Sequence, residues 1–181
     1  MCQSLGKKRK KKKMKLLILS DTHGRSDRVI RVLKLHADAD AILFLGDGIS
    51  DMARSGADIG RLFCVRGNCD TFSLGSNIYS PDELSLCFDG YNILMMHGHS
   101  HGVKSGLERA MEYAAAKGAD VLLFGHTHTP LEKYIPANSD NERPMYLFNP
   151  GSLGAGRGGT SSYGLIQIKN RHILFSHGSL K

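Results

Sequence analysis

Five apolar runs in this 181-residue chain end in side chains that can hold a metal ion or move a proton. The first run is followed by Asp21, Thr22, His23 and Gly24, and the second by Gly46, Asp47 and Gly48. The third leads into Gly67, Asn68, Cys69 and Asp70, another into His97, Gly98 and His99, and the last into Gly125, His126, Thr127 and His128. Carboxylate and amide oxygens combined with imidazole nitrogens suit divalent ions of intermediate hardness: Mn, Fe, Zn, Ni or Co. Asp21, His23, Asp47, Asn68, His97, His126 and His128 are too many donors for one ion with an open position. They fit two ions that share a bridging carboxylate. Glycines beside the donors permit tight turns and a close approach of substrate to the backbone. Each fragment alone is as easily a turn; the ordered set of five carries the reading.

Bringing these groups together is a task for strands. The runs at 15–20, 41–46, 61–67, 84–88, 91–98 and 120–126 are short and lack strict alternation, the pattern of strands covered on both faces. In an α/β protein the C-terminal ends of such strands converge on one edge, where ligands bind. Between the runs, residues 25–37 place Val29, Ile30, Leu33 and Ala37 at helical spacing, and 103–118 does so through Leu107, Met111 and Ala114, with Gly118 as its stop. Beyond residue 130 the chain becomes β-rich. Segments 163–168 and 171–177, joined around Asn170, predict a hairpin. The expected fold class is α/β, with two packed sheets and helices outside them.

Composition narrows the function classes. The chain carries 24 Lys+Arg against 17 Asp+Glu, a formal charge of +7. Seven of the basic residues form the unbroken run 7–13, and removing them leaves 17 against 17. The basicity therefore belongs to an arm at 1–13, expected to be disordered, and the domain at 14–181 is neutral. Met14 opens a sequence that makes sense as a start of its own. Nucleic-acid binding would need basic groups on the domain and aromatic stacking platforms. The chain has no Trp, so only non-specific binding through 7–13 is expected. No run approaches the roughly 20 apolar residues of a membrane span, and the apolar stretch at 16–19 is too short for a signal peptide. Cys2, Cys64, Cys69 and Cys87 show no paired spacing; Cys64 and Cys87 read as buried thiols, and a reducing cytoplasm is expected.

The order D-x-H, G-D, G-N-x-D, G-H, G-H-x-H resembles the calcineurin-like metallophosphoesterases, and within them the small YfcE-type phosphodiesterases. The resemblance spans about 14–178. It implies a four-layer αββα sandwich of two mixed β-sheets, with a dinuclear site at their top. It places Asp21, His23 and His128 on one ion, Asn68, His97 and His126 on the other, and Asp47 between them. The ions it implies are manganese first, with Zn, Fe, Ni or Co as alternatives. The substrate is a small phosphoester, attacked by a hydroxide bridging the two metals.

In larger members the residue after the Asn is a His that assists the transition state or leaving group. Here it is Cys69, a poorer and uncharged substitute, with Asp70 still in the position that would orient that His. Asn68, Cys69 and Asp70 are thus the catalytic candidates. Arg25 and Arg157 are weaker candidates for a phosphate contact, and His99 and His101 have no assigned role. Residues 149–152 (Asn-Pro-Gly-Ser) read equally as a family turn or as a plain turn between strands. The rival reading is a non-catalytic scaffold like the retromer subunit of this fold, in which metal ligands are lost; here all seven are present. A homo-oligomer is compatible with the sequence.

Overall fold

The computed structural model describes residues 13–70, 77–137, 143–154 and 159–180. Residues 1–12 of the arm at 1–13, and Arg157, lie outside them. In chain order the elements are β1 (Met14–Leu19), α1 (Ser26–Leu35), β2 (Ala41–Phe44), α2 (Ile49–Arg54), β3 (Leu62–Cys64), β4 (Glu83–Phe88), β5 (Tyr91–Met96), α3 (Glu108–Ala116), β6 (Val121–Leu123), β7 (Leu131–Ile135), β8 (Met145–Asn149), β9 (Ser161–Lys169) and β10 (His172–Leu180). They build two five-stranded sheets, ordered β10-β9-β1-β2-β3 and β4-β5-β6-β8-β7. Both are mixed. β1, β2 and β3 run parallel, with β9 antiparallel to β1; β5, β6 and β8 run parallel, with β4 and β7 antiparallel at the edges.

β1 shows why the apolar runs do not alternate. Leu16 and Ile18 face a central core shared with Met95, Leu123 and Phe148 of the other sheet and Ile166 and Ile168 of β9. Leu17 and Leu19 face the opposite way, onto Val29 and Val32 of α1 and Met52 of α2. All four are fully buried, each side chain contributing about 1.5–3 kcal/mol. The second sheet repeats the plan, with Leu94, Met96 and Leu122 on its outer face against Val103, Ala110 and Ala114. Helix, sheet, sheet, helix is the expected four-layer sandwich.

Some details depart from the sequence reading. The helix expected over 103–118 begins at Glu108. Ahead of it, Gly98 and Gly102 are left-handed and flank a 3-10 turn at His99–His101, and the chain from 102 to 105 runs on in turns. β4 is an edge strand with one face open: Leu84, Leu86 and Phe88 pack on the central core while Cys87 is exposed, not buried. Cys64 is buried as expected. β7 and the short α2 have no counterpart in the sequence reading. The hairpin of β9 and β10 closes on Asn170 and Arg171, both with positive φ (52° and 63°), the geometry of a two-residue type I′ turn. Among the described residues no helix is long and apolar enough to cross a membrane.

Candidate metal centre

All seven expected donors arrive at one place, carried by loops at the C-terminal ends of β1, β2, β3, β5 and β6. The loops are laced to one another by the main chain. Asp21 N donates to Gly46 O (2.9 Å), and Thr22 N to Asp47 O (2.9 Å). His97 joins the sheets by donating from Nδ1 to Leu45 O at 2.7 Å, which turns its Nε2 towards the site. Asp21, Asp47 and His97 form a buried floor, and His23, Asn68 and Cys69 an exposed rim.

The donors fall into two clusters. In one, His23 Nε2 lies 3.2 Å from His128 Nε2, and His128 Nε2 lies 3.1 Å from Asp21 Oδ1. In the other, His97 Nε2 lies 3.1 Å from His126 Nδ1 and 3.2 Å from Asn68 Oδ1. Asp47 stands between them, its Oδ2 3.4 Å from His97 Nε2 and 3.9 Å from His23 Nε2. Asp21, His23 and His128, and separately Asp47, His97 and His126, are close enough to share one ion each. The donor set fits a pair of divalent cations on a further ground: Asp21 Oδ1 is buried without a hydrogen bond, a cost of roughly 1–3 kcal/mol that a cation would remove.

Charge follows the same division. Burial opposes ionisation of Asp47, but hydrogen bonding and charge from His97 and the Cys69 amide reverse this and hold the carboxyl below its usual range. Burial disfavours the His97 cation, yet Asp47 and Asp21 raise its pKa. Burial and the His97 charge push His126 down to about 4. Burial, with the adjacent Asp47, moves the Cys69 thiol up, away from the thiolate.

A second ring of side chains fixes the loops. Asp70 accepts from Asp47 N (2.7 Å) and Gly67 N (2.8 Å) on one oxygen, and from Gly48 N (2.8 Å) and Ile49 N (3.0 Å) on the other. Its carboxylate is thus committed to the main chain of the Asp47 loop, a different service from orienting the side chain at 69. Asp51, unremarked in the sequence, is fully buried and accepts from the Thr22 hydroxyl (2.5 Å) and Gly24 N (2.8 Å), tying α2 to the Asp21 loop. Nothing in the sequence around it marked it out, because both of these partners lie more than 25 residues away. Ser20 Oγ donates to Asp21 Oδ2 at 2.5 Å. A Cβ on Gly67 would overlap Asp47 Oδ1, so only glycine fits there.

Other candidates lie around the site. The His99 ring sits 5.4 Å from that of His97 and 6.1 Å from that of His126, on the second cluster's side. His101 turns away and packs on Tyr113 at 4.7 Å. Arg25 pairs with Asp27 on the exposed start of α1.

Known proteins resemble this chain over most of its length. Residues 14–171 match the calcineurin-like phosphoesterase superfamily domain. The chain is 33% identical over 159 residues to "Probable metallophosphoesterase YsnB" of Bacillus subtilis, covering 87% of this chain and 86% of that protein. It is 29% identical over 175 residues to phosphodiesterase YfcE of Escherichia coli, covering 84% and 87%. In fold it is similar to a conserved Streptococcus pneumoniae protein described as a predicted phosphoesterase, with a TM-score of 0.72, 22% identity and 93% and 99% of the two chains covered. It is similar also to zinc-complexed Vps29 of Entamoeba histolytica, with a TM-score of 0.64, 20% identity and 92% and 99% covered. The chain belongs to the calcineurin-like phosphoesterase superfamily.

Proposed function

We propose that the chain is a metal-dependent phosphodiesterase acting on small phosphoesters. The observation that carries the reading is the pair of donor clusters meeting at Asp47. Asp21, His23 and His128 would hold one divalent ion and Asn68, His97 and His126 the other, with Asp47 shared and Mn²⁺ the first choice. Bound there, two such ions supply Lewis acidity at phosphorus and bring the pKa of water towards neutrality.

The chain's own residues do the rest. Asp47, kept ionised beside His97, maintains a negative bridge across the site. The Nδ1 contact to Leu45 fixes His97 in one tautomer and so presents its other nitrogen. Asn68 stands exposed at the rim, where its amide Nδ2 lies 3.2 Å from Cys69 Sγ, next to the place a substrate phosphate would occupy. Cys69 is a weak proton donor to a leaving group, which favours esters whose leaving groups need little protonation, such as aryl phosphodiesters.

The test uses metal-stripped protein and a bis-aryl phosphodiester. Adding Mn²⁺ restores hydrolysis, Asp47→Asn removes it, and Cys69→His raises turnover. Full activity in Asp47→Asn would refute the assignment. The likeness to Vps29 supports a second reading, a protein-interaction scaffold. It predicts that the chain binds metal without hydrolysing any member of a phosphomonoester, phosphodiester and cyclic-nucleotide panel.

A further inference from the structure

We infer that Asn149 is a positioning residue for both halves of the metal centre at once. This rests on the dinuclear reading above and goes beyond it, because Asn149 is outside both donor clusters. Asn149 ends β8 and is fully buried. Its side-chain Nδ2 donates to Gly125 O at 2.9 Å and to Thr127 Oγ1 at 3.1 Å, and its Oδ1 accepts from Gly151 N at 2.8 Å. The amide therefore grips the chain on either side of His126, and the second grip lies between His126 and His128. Its own main chain is pinned as well. Asn149 O accepts from His177 Nε2 at 2.8 Å, and the His177 ring stacks on Phe148 with centroids 4.6 Å apart.

The loop needs this hold. His126 and His128 both have positive φ, 65° and 59°. Non-glycine residues persist in that conformation when their surroundings over-determine it. Main-chain support comes from His126 N, which donates to Asp21 Oδ2 at 3.0 Å. Gly125 N also donates to His97 O at 3.2 Å, and Asn149 adds its side-chain anchors from the other side. Since His126 serves one cluster and His128 the other, one amide sets the geometry of both. The chemistry at 149 is directional: Gly125 O must receive a hydrogen. An aspartate of nearly the same shape has none to give and would turn an anion towards that carbonyl.

The experiment titrates the metal-free full chain with Mn²⁺ by calorimetry, well below the melting temperature. Variants are Asn149→Asp, Asn149→Ala and Thr127→Val. Asp120→Asn is the stability control, since Asp120 accepts from Asn92 N (2.8 Å) beside the start of β6, away from the donors. Both Asn149 variants weaken Mn²⁺ at both sites by about 10–100-fold, the usual effect of losing a residue that orients ligands. Thr127→Val, which loses the bond from Asn149 (3.1 Å) and the longer ones with Thr129 N (3.3 Å) and Thr129 O (3.5 Å), weakens both by about 2–10-fold. Its effect is not additive with that of Asn149→Ala. Asp120→Asn lowers the melting temperature and leaves affinity unchanged, as a merely structural residue would. Unchanged affinities in folded Asn149→Asp, or weakening at one site alone, overturn the inference. Should the Asn149 variants not fold, unchanged affinities in Thr127→Val overturn it instead. Wild-type protein that binds no Mn²⁺ overturns the dinuclear reading itself, and the inference with it, before any variant is compared.

Discussion

Asp70→Asn is the substitution that most sharply separates a loop-fixing role from a catalytic one. The wild-type carboxylate accepts four main-chain amides, at 2.7, 2.8, 2.8 and 3.0 Å. The asparagine retains one oxygen, which can satisfy two of them. Its NH₂ then faces the other two N–H groups, donor against donor. Hydrogen bonds to a charged acceptor contribute about 1.5–3 kcal/mol each, so losing two, with partial relaxation of the loop, costs about 3 kcal/mol. For a domain of this size that lowers the melting temperature by roughly 6–12 °C. Scanning calorimetry of metal-free protein reads this directly, because no ion contributes to the measured stability. Whichever oxygen is lost, the freed pair, Asp47 N with Gly67 N or Gly48 N with Ile49 N, includes an amide of the bridging loop, so Mn²⁺ affinity falls in the same variant. Cys69→Ala serves as comparison and leaves the melting temperature near the wild-type value. A wild-type melting temperature in Asp70→Asn, combined with reduced turnover, would refute the loop-fixing role and restore the neighbouring side chain as its target.

Three further predictions concern other parts of the molecule. Gly67→Ala forces a methyl group into Asp47 Oδ1, so Mn²⁺ affinity and turnover fall together, by about 100-fold, the upper end of such disturbances, in calorimetry and in phosphodiester hydrolysis. Gly164→Ala meets the Phe148 ring and Ile18 between the two sheets and costs about 1–3 kcal/mol by overpacking, read from urea unfolding. Burial, with the nearby Lys15 charge, holds His36 below the usual histidine pKa, and its Nε2 lies 3.0 Å from the Tyr163 hydroxyl. The unfolded chain therefore takes up this proton first as pH falls. The contribution of His36 is present above about pH 6.5 and is lost below it, so His36→Phe should show a smaller drop in urea midpoint between pH 7.5 and 5.5.

The inner strands were readable from sequence because both faces are buried, which removes polar interruptions: Leu16 to Leu19 supply two different cores in turn. Exposure hid the rest. β7 reads Leu-Glu-Lys-Tyr-Ile, with three exposed residues in the middle, and resembles a loop until it pairs with β8. α2 is six residues long, too short for a helical period to register. The candidate donors could be picked out because few side chains bind divalent ions and all seven follow strands. The groups that hold the donors could not. Asp51 and Asn149 have ordinary side chains whose partners lie at sequence distances, such as the 24 residues between Asn149 and Gly125, that no local pattern encodes, and Ser20 beside Asp21 carries no mark of the bond it makes. Cys87 misled for the opposite reason: it sits in an apolar run whose strand lies at a sheet edge.

Five of the seven donors, Asp21, His23, Asp47, His126 and His128, share a left-handed backbone. Asn, Asp and His are also the non-glycine residues that best tolerate it. The alphabet available at these positions is thus restricted twice, by the ion and by the turn. A β-branched residue would be rejected by the backbone before any cation was consulted. Drift away from catalysis in such a scaffold has few cheap exits, chiefly exchange among these three types or retreat to glycine. A designer seeking a different metal here is better served by altering the residues behind the loops than by enlarging the donors, because a longer carboxylate such as glutamate would have to adopt a turn it does not favour.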